Sequence, residues 1–319
     1  MNGFAMQVKD GTAREIPLEA ALEADGALVW IHLHGEESAL RPWFENTAGL
    51  PAWVVDPLVA TETRPRATAL EEGAFVNLRG LSPDELATSD PLASVRLFAT
   101  AGRVYSVTRH RLTAMPAVRA EVQQAQVADP GDLIVAFAEE ITDELDPLVA
   151  DLGDTLDDCE GELSADRVFD LRRVVGRARI QAIGYRRFLA PQRAALEKLS
   201  TLPGDWLGSD DRLHLAAAAD KAARMAEELE AIRERAALIH ETLTDLRAEQ
   251  LDQRSLQIAI VAMVFLPLTF LTGLLGMNVE GIPFAHAPWA FAGVVAICVF
   301  LAAGITGWFV HRHWLNRGS

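Results

Sequence analysis

The residues whose types and spacing suggest chemistry lie near the C-terminal end. Counted at a period of 3.5, Asp252, Ser255, Ala259, Ala262, Leu266, Thr269, Gly273 and Gly276 fall on one stripe of a helix. All but Leu266 are small or polar, whereas the other faces carry Val261, Phe265, Leu268, Phe270 and Leu274. Such a stripe leaves room beside a backbone for water and a hydrated ion, and it equally suits two helices packed closely together. Asp252 and Ser255 at one end favour the aqueous reading, because polar groups beside a membrane face protein or water. One helix cannot enclose a channel, so an ion path here needs several copies about a symmetry axis. Just beyond the stripe, Glu280 and His286 are the only titratable side chains in 276–287. A carboxylate suits any hard dication, while imidazole suits zinc and is a poor magnesium ligand.

The rest of the chain offers little catalytic chemistry. His32 and His34 share one face of an expected strand, but two histidines without a third ligand read as packing or surface residues. No nucleotide-binding, kinase or other catalytic motif is present, so the chain is not read as an enzyme.

The elements around the stripe are those of a membrane anchor. Residues 258–275 (IAIVAMVFLPLTFLTGLL) form an uncharged run of 18, and 288–310 (PWAFAGVVAICVFLAAGITGWFV) one of 23. At about 1.5 Å per residue each crosses a hydrocarbon core of about 30 Å. Trp289 and Trp308 are 19 residues apart, where an aromatic belt would place them at the two interfaces. The segment between the runs has no Lys or Arg, while Arg247, Arg254, Arg312 and Arg317 flank them. Both termini are therefore expected in the cytoplasm of a multi-pass inner-membrane protein. Residues 1–14 lack an apolar stretch, so no cleavable signal peptide is expected.

The formal net charge is −16, from 45 acidic and 29 basic residues. Such a surface repels nucleic acid and attracts cations. Two cysteines, Cys159 and Cys298, exclude a disulfide framework. Within 1–125, strands are expected at 27–33, 74–78, 94–98 and 104–108, the last two as a hairpin, with helical character at 38–47 and 111–124. This part reads as a small cytoplasmic α/β domain.

From Asp132 onward the pattern is helical. Residues 139–162 hold eleven acidic side chains and no basic ones, whereas 167–198 hold nine basic and two acidic. They read as antiparallel helices of opposite charge joined near 161–164, pairing with each other or leaving an acidic face for cations. After Pro203-Gly204, a helix is expected to start at Ser209 with Asp210 and Asp211 behind it. Met225, Leu229, Ile232, Ala236, Ile239, Leu243 and Leu246 alternate spacings of four and three, a coiled-coil seam open to a partner. The expected order is a cytoplasmic domain (1–125), a helical hairpin and stalk helix (126–257), a membrane helix (258–275), an external loop (276–287), a second membrane helix (288–310) and a cytoplasmic tail (311–319).

The run FLPLTFLTGLLGMN, from Phe265 to Asn278, resembles the CorA family of metal-ion transporters. In that family the first membrane helix ends in Gly-Met-Asn after a Pro-Leu-Thr-Phe stretch. Here these are Gly276-Met277-Asn278 and Pro267-Leu268-Thr269-Phe270. The architectural resemblance spans the chain, and the residue-level match covers roughly 250–283. It implies an α+β cytoplasmic domain, a helical coiled-coil stalk and two C-terminal transmembrane helices, assembled with four further copies into a funnel-shaped homopentamer. It also implies that Gly276, Met277 and Asn278 form the selectivity filter. Asn278 would be the entrance ring, its carboxamide oxygens holding a cation through hydration water. Thr269 and Leu266 would lie in the layers below, Leu266 as a hydrophobic constriction.

Magnesium-type members commonly continue with Met-Pro-Glu, whereas this chain has Ile282-Pro283-Phe284. The stretch from Val279 to Pro283 is more similar to the ZntB zinc-transporter branch. The resemblance therefore implies zinc uptake through the bilayer, with a magnesium, cobalt or nickel channel as the alternative and no resident cofactor. A two-helix membrane sensor is the reading from another class, but the twelve residues of 276–287 are too few for an external ligand domain.

Overall fold

A computed structural model describes residues 2–61, 64–70, 73–84, 91–204, 206–277, 281–282, 284 and 287–315, with 310 and 312–315 in backbone only. The chain divides into two compact units, Met1–Leu163 with Phe169–Glu241 and Ser164–Val168 with Thr242–Ser319.

The first unit contains a seven-stranded sheet. In chain order its elements are β1 (Asn2–Lys9), β2 (Thr12–Ile16), α1 (Leu18–Ala21), β3 (Leu28–His34) and α2 (Glu37–Pro42), which runs into a π-helical turn (Trp43–Thr47). Then come α3 (Ala52–Val59), β4 (Arg66–Leu70), β5 (Gly73–Leu81), β6 (Leu92–Thr100), β7 (Arg103–Thr108) and α4 (Met115–Gln123). The strand order is β2-β1-β3-β7-β6-β5-β4, and only β3 and β7 pair in parallel. The four expected strands are the centres of β3, β5, β6 and β7. The expected hairpin joins β6 to β7 through a turn in which Gly102 adopts φ +73°, a conformation cheap only for glycine.

Both faces of the central strands are covered, so β5 and β6 are buried along almost their whole length. One face packs Val29, Ile31, Phe98, Tyr105 and Val107 against Phe44 and the Val54–Leu58 stretch of α3. On the other face Trp30 meets Phe137 edge-on at 5.8 Å. Phe137 belongs to α5 (Pro130–Gly161), which α6 (Val168–Ser200) and α7 (Ser209–Leu275) follow. The buried backbone N–H of Arg79 donates to Gln192 Oε1 at 2.7 Å, and its guanidinium lies 3.9 Å from the Phe188 ring centre, tying α6 to β5.

The charges of α5 and α6 find partners that the sequence did not indicate. The ion pairs described for α5 run to α7, not to α6. Glu139 lies 2.7 Å from His214, Asp143 and Asp146 lie 2.8 and 3.1 Å from Lys221, and Asp157 and Glu160 share Arg235. Helix α6 likewise reaches α7, with Arg186 at 3.0 Å from Glu230. The expected direct pairing is thus replaced by two sets of bridges onto a shared third helix. The same arrangement closes the seam. Met225, Leu229, Ile232, Ala236 and Ile239 are buried within the single chain, so these positions meet this chain's own helices.

Helix α7 begins at Ser209, as expected, and runs unbroken for 67 residues to Leu275. In the second unit it is followed by α8 (Ala290–Leu315). Two stretches of helix, one in α7 and one at Ala290–Phe309, are long and apolar enough to cross a membrane, and neither is buried.

Candidate ion pathway

Every member of the small-residue stripe, from Asp252 through Ser255, Ala259, Ala262, Leu266, Thr269 and Gly273 to Gly276, is exposed in the single chain. Leu266 is the most exposed of the large apolar ones at 74%. The partly covered residues of the span are Leu256, Ile260, Val264, Pro267, Leu268, Leu271 and Leu275, which fall on a different face. The span therefore has one half-covered leucine-rich face, and its uncovered remainder carries the stripe of small side chains together with large apolar ones such as Ile258, Phe265 and Phe270.

Two threonine hydroxyls of the span, Thr269 on the stripe and Thr272 off it, bond the helix itself. Thr269 Oγ1 donates to Phe265 O at 2.8 Å, and Thr272 Oγ1 to Leu268 O at 3.0 Å. Each proton is spent on the helix's own carbonyl, leaving the oxygen lone pairs for water. Pro267 lies within the helix and has no N–H, so one carbonyl a turn earlier loses its backbone donor. At the helix end, Gly276 N–H donates to Thr272 O at 2.9 Å, and a Cβ on Gly276 would sit 2.9 Å from that same oxygen. The first residue of the Gly-Met-Asn triplet thus needs to be small where the helix closes. Met277 follows, half exposed. Asn278, Glu280 and His286 lie outside the described residues. Between Glu280 and His286, Phe284 adopts φ +61° and packs on Trp289 with ring centres 5.3 Å apart.

His32 and His34 do not form a metal site. Trp30 Nε1 donates to Ser106 Oγ at 2.7 Å, and Ser106 Oγ lies 2.8 Å from His32 Nδ1. His32 Nε2 lies 3.3 Å from Thr108 Oγ1, itself 3.0 Å from His34 Nδ1. An indole N–H only donates, so a chain in which each hydroxyl passes its proton on makes His32 the Nε2–H tautomer, an assignment inferred from the network. Burial, then the positive charge of His34 and Arg119, depresses the His32 pKa to about 3, so the ring stays neutral. Both of its nitrogens are occupied by hydroxyls.

A carboxylate group that the sequence did not single out lies where α5 and α7 begin. Ligand oxygens of Asp129, Asp132 and Asp211 all lie within 4.8 Å of one another. Asp129 caps α5 by accepting from Asp132 N–H at 3.0 Å, and Asp211 accepts from Gly208 N–H at 2.7 Å. A Cβ on Gly131 would come within 2.1 Å of Asp211 Oδ2, so glycine lets the two helix starts meet. Burial, then the charges of Asp129 and Asp132, pushes Asp211 from 3.8 up to about 6. The folded state then holds a proton that the unfolded chain releases, so this group adds stability as pH falls through about 6 and costs stability above it. Asp211→Asn should raise the unfolding temperature at pH 7.5 by about 2–4 °C and by less at pH 5.5. Thermal scans at both values check this, and a larger gain at pH 5.5 would contradict it. A site-forming role was hard to see because Asp-Asp after Ser209 also reads as an ordinary helix start.

A long charged helix continues as an apolar span, and a second apolar helix follows it. The family model described as CorA-like Mg2+ transporter protein matches residues 25–312. The chain belongs to that family. It is 32% identical over 287 residues to the zinc transport protein ZntB of Pectobacterium atrosepticum, covering 90% of this chain and 88% of that one. Against the zinc transport protein ZntB of Yersinia enterocolitica it is 30% identical, with 98% of each chain covered. Among solved structures, the full-length CmaX protein superposes with a TM-score of 0.74 at 27% identity, over 96% of this chain and 97% of that one. The CorA magnesium transporter of Methanocaldococcus jannaschii gives 0.77 at 15% identity over 97% of each, which supports the fold alone.

Proposed function

We propose that the chain is one subunit of a homopentameric pore that takes up zinc through the inner membrane, with both termini in the cytoplasm. The observation that carries the reading is the line of small and polar side chains, interrupted only by Leu266, that runs uncovered along α7 from Asp252 to Gly276. Exposed glycine, serine, threonine and aspartate cost free energy against lipid and cost none around a shared aqueous axis. In that assembly the Asn278 carboxamides meet the hydrated ion first. Neutral dipoles attract a dication without trapping it, which lets it move on. Thr269 supplies hydroxyl oxygens below, Leu266 narrows the path, and Asp252 offers a carboxylate ring at the other end. Glu280 and His286 stand beside the entrance.

Zinc as the ion rests on the relatives named zinc transport protein and on the missing Met-Pro-Glu stretch. Magnesium is the second reading, favoured by the family description. Purified protein in vesicles, with zinc and magnesium uptake measured at two pH gradients, tests both. Zinc uptake that excess magnesium does not suppress is the expected result. Magnesium uptake without zinc uptake would replace the ion, and uptake of neither would remove the transport reading.

A further inference from the structure

The carboxylates of α5 separate into two faces with different fates. Glu139, Asp143, Asp146, Asp157 and Glu160 are all bridged to α7. Glu140, Glu144, Asp151, Asp154 and Asp158 follow a second line at helical spacing, with Pro147 completing the steps of four and three. Among the described residues none of these five has a basic partner, and Asp151, Asp154 and Asp158 are exposed. Glu144 Oε2 is buried without a hydrogen bond. Burial and then the charge of Glu140 push Glu144 up to about 7, the mark of a carboxylate short of a cation.

Helix α6 carries the complement. Ile180 and Ile183 are 52% and 47% exposed in the midst of Arg173, Arg177, Arg179 and Arg187. Arg177, Arg179 and Arg187 have no carboxylate partner among the described residues, and Arg173 has only Asp170 at 3.8 Å on its own helix. Two bare isoleucines among guanidiniums, three of them without a carboxylate partner among the described residues, have the composition of an interface centre with a charged rim. Through neighbouring residues, the two helices flank the same stretch of α7. Asp157 and Glu160 reach Arg235, while Arg186 reaches Glu230 and Arg172 lies 3.4 Å from His240.

We propose that the isoleucine-bearing basic face of α6 docks on the acidic face of α5 of a second copy of this chain. This rests on the reading that the chain assembles with itself. A rotation about an axis along α7 carries one stripe to the level of the other in the neighbouring copy. Contacts of α5 with α5 or of α6 with α6 would oppose like charges along their length, which disfavours a two-fold pair. Each copy uses both faces once, so the contact is head-to-tail and can close into a ring.

Full-length protein in detergent, with Cys159 and Cys298 changed to Ser, tests the contact. Asp154→Cys and Ile180→Cys are introduced in separate chains, co-expressed, and treated with a short bis-maleimide. The expected product is a two-chain band from the mixture and none from either variant alone. No band from the mixture overturns the contact, and so does self-linking of Ile180→Cys alone. A charge exchange gives a second readout: Arg177→Glu with Arg187→Glu should raise the concentration at which the particle dissociates by about tenfold. Adding Asp151→Arg with Asp154→Arg should restore assembly. If α6 instead meets anionic lipid, the first exchange lowers vesicle binding, the second does not rescue it, and the proposal fails. The mass of the unaltered particle separates the two levels. A monomer removes the self-assembly reading together with this contact, whereas an oligomer that yields no cross-link removes the contact alone.

Discussion

Replacing Asn278 by Ala is expected to abolish metal uptake in vesicles, by about tenfold or more, while particle mass and thermal stability stay those of the unaltered protein. The effect is large because the change acts once per copy at a shared entrance. On the proposed reading, a dication arriving with its water shell meets a ring of carboxamide oxygens, and alanine removes all of them together. The helix end is closed two residues earlier, by Gly276 N–H on Thr272 O at 2.9 Å. Asn278→Asp separates charge from geometry. A carboxylate ring keeps the oxygens but holds the ion more tightly, so uptake should saturate at lower metal concentration and turn over more slowly. Uptake within about twofold of normal in Asn278→Ala would show that selection happens elsewhere on the path.

What could be read from the sequence was what rests on local chemistry and long periods. Ser209 with two aspartates behind it starts α7, and no Gly or Pro interrupts it before Pro267, which the helix accommodates on its way to Leu275. The two apolar runs and the Gly-Met-Asn triplet needed no three-dimensional information. Strands β3, β5, β6 and β7 were visible because they are apolar and central. Strand β1 and the edge strands β2 and β4 were not, and short polar segments such as TAREI and RATAL become strands only through the neighbour they pair with.

Partner choice was the other blind spot. The opposite charges of α5 and α6 suggested a mutual pairing, yet their bridges run to Lys221, Arg235 and Glu230 on α7. Helical periodicity says which residues share a face and is silent about which helix that face meets. The seam from Met225 to Ile239 shows the same limit: the pattern was correct, and its buried side proved to be filled within the chain. The proximity of Asp211 to Gly131 joins residues 80 positions apart and left no local signal.

Gly273→Leu should lower uptake by about tenfold or more, without loss of fold or assembly, if the small-residue stripe of α7 lines the ion path. In the single chain a Cβ at Gly273 meets nothing within 4 Å, so the larger side chain strains no neighbour. Leucine is also a better helix former than glycine by up to about 1 kcal/mol, which favours the helix rather than weakening it. The isobutyl groups then project wherever the glycine face points. Around a common axis they crowd the passage above Leu266 and Thr269 and displace the water that carries the ion. Against lipid they merely replace one apolar contact by another. If the stripe is instead a close helix–helix seam with no water, leucine forces the helices apart and the particle itself falls to smaller mass. Three outcomes are therefore separable by measuring uptake and mass on one preparation. Lost uptake with unchanged mass places Gly273 on the ion path, lost mass makes the stripe a packing seam, and normal values of both turn it to the bilayer. Val261→Leu, on a face 56% exposed and away from the stripe, serves as the control and should leave both quantities unchanged.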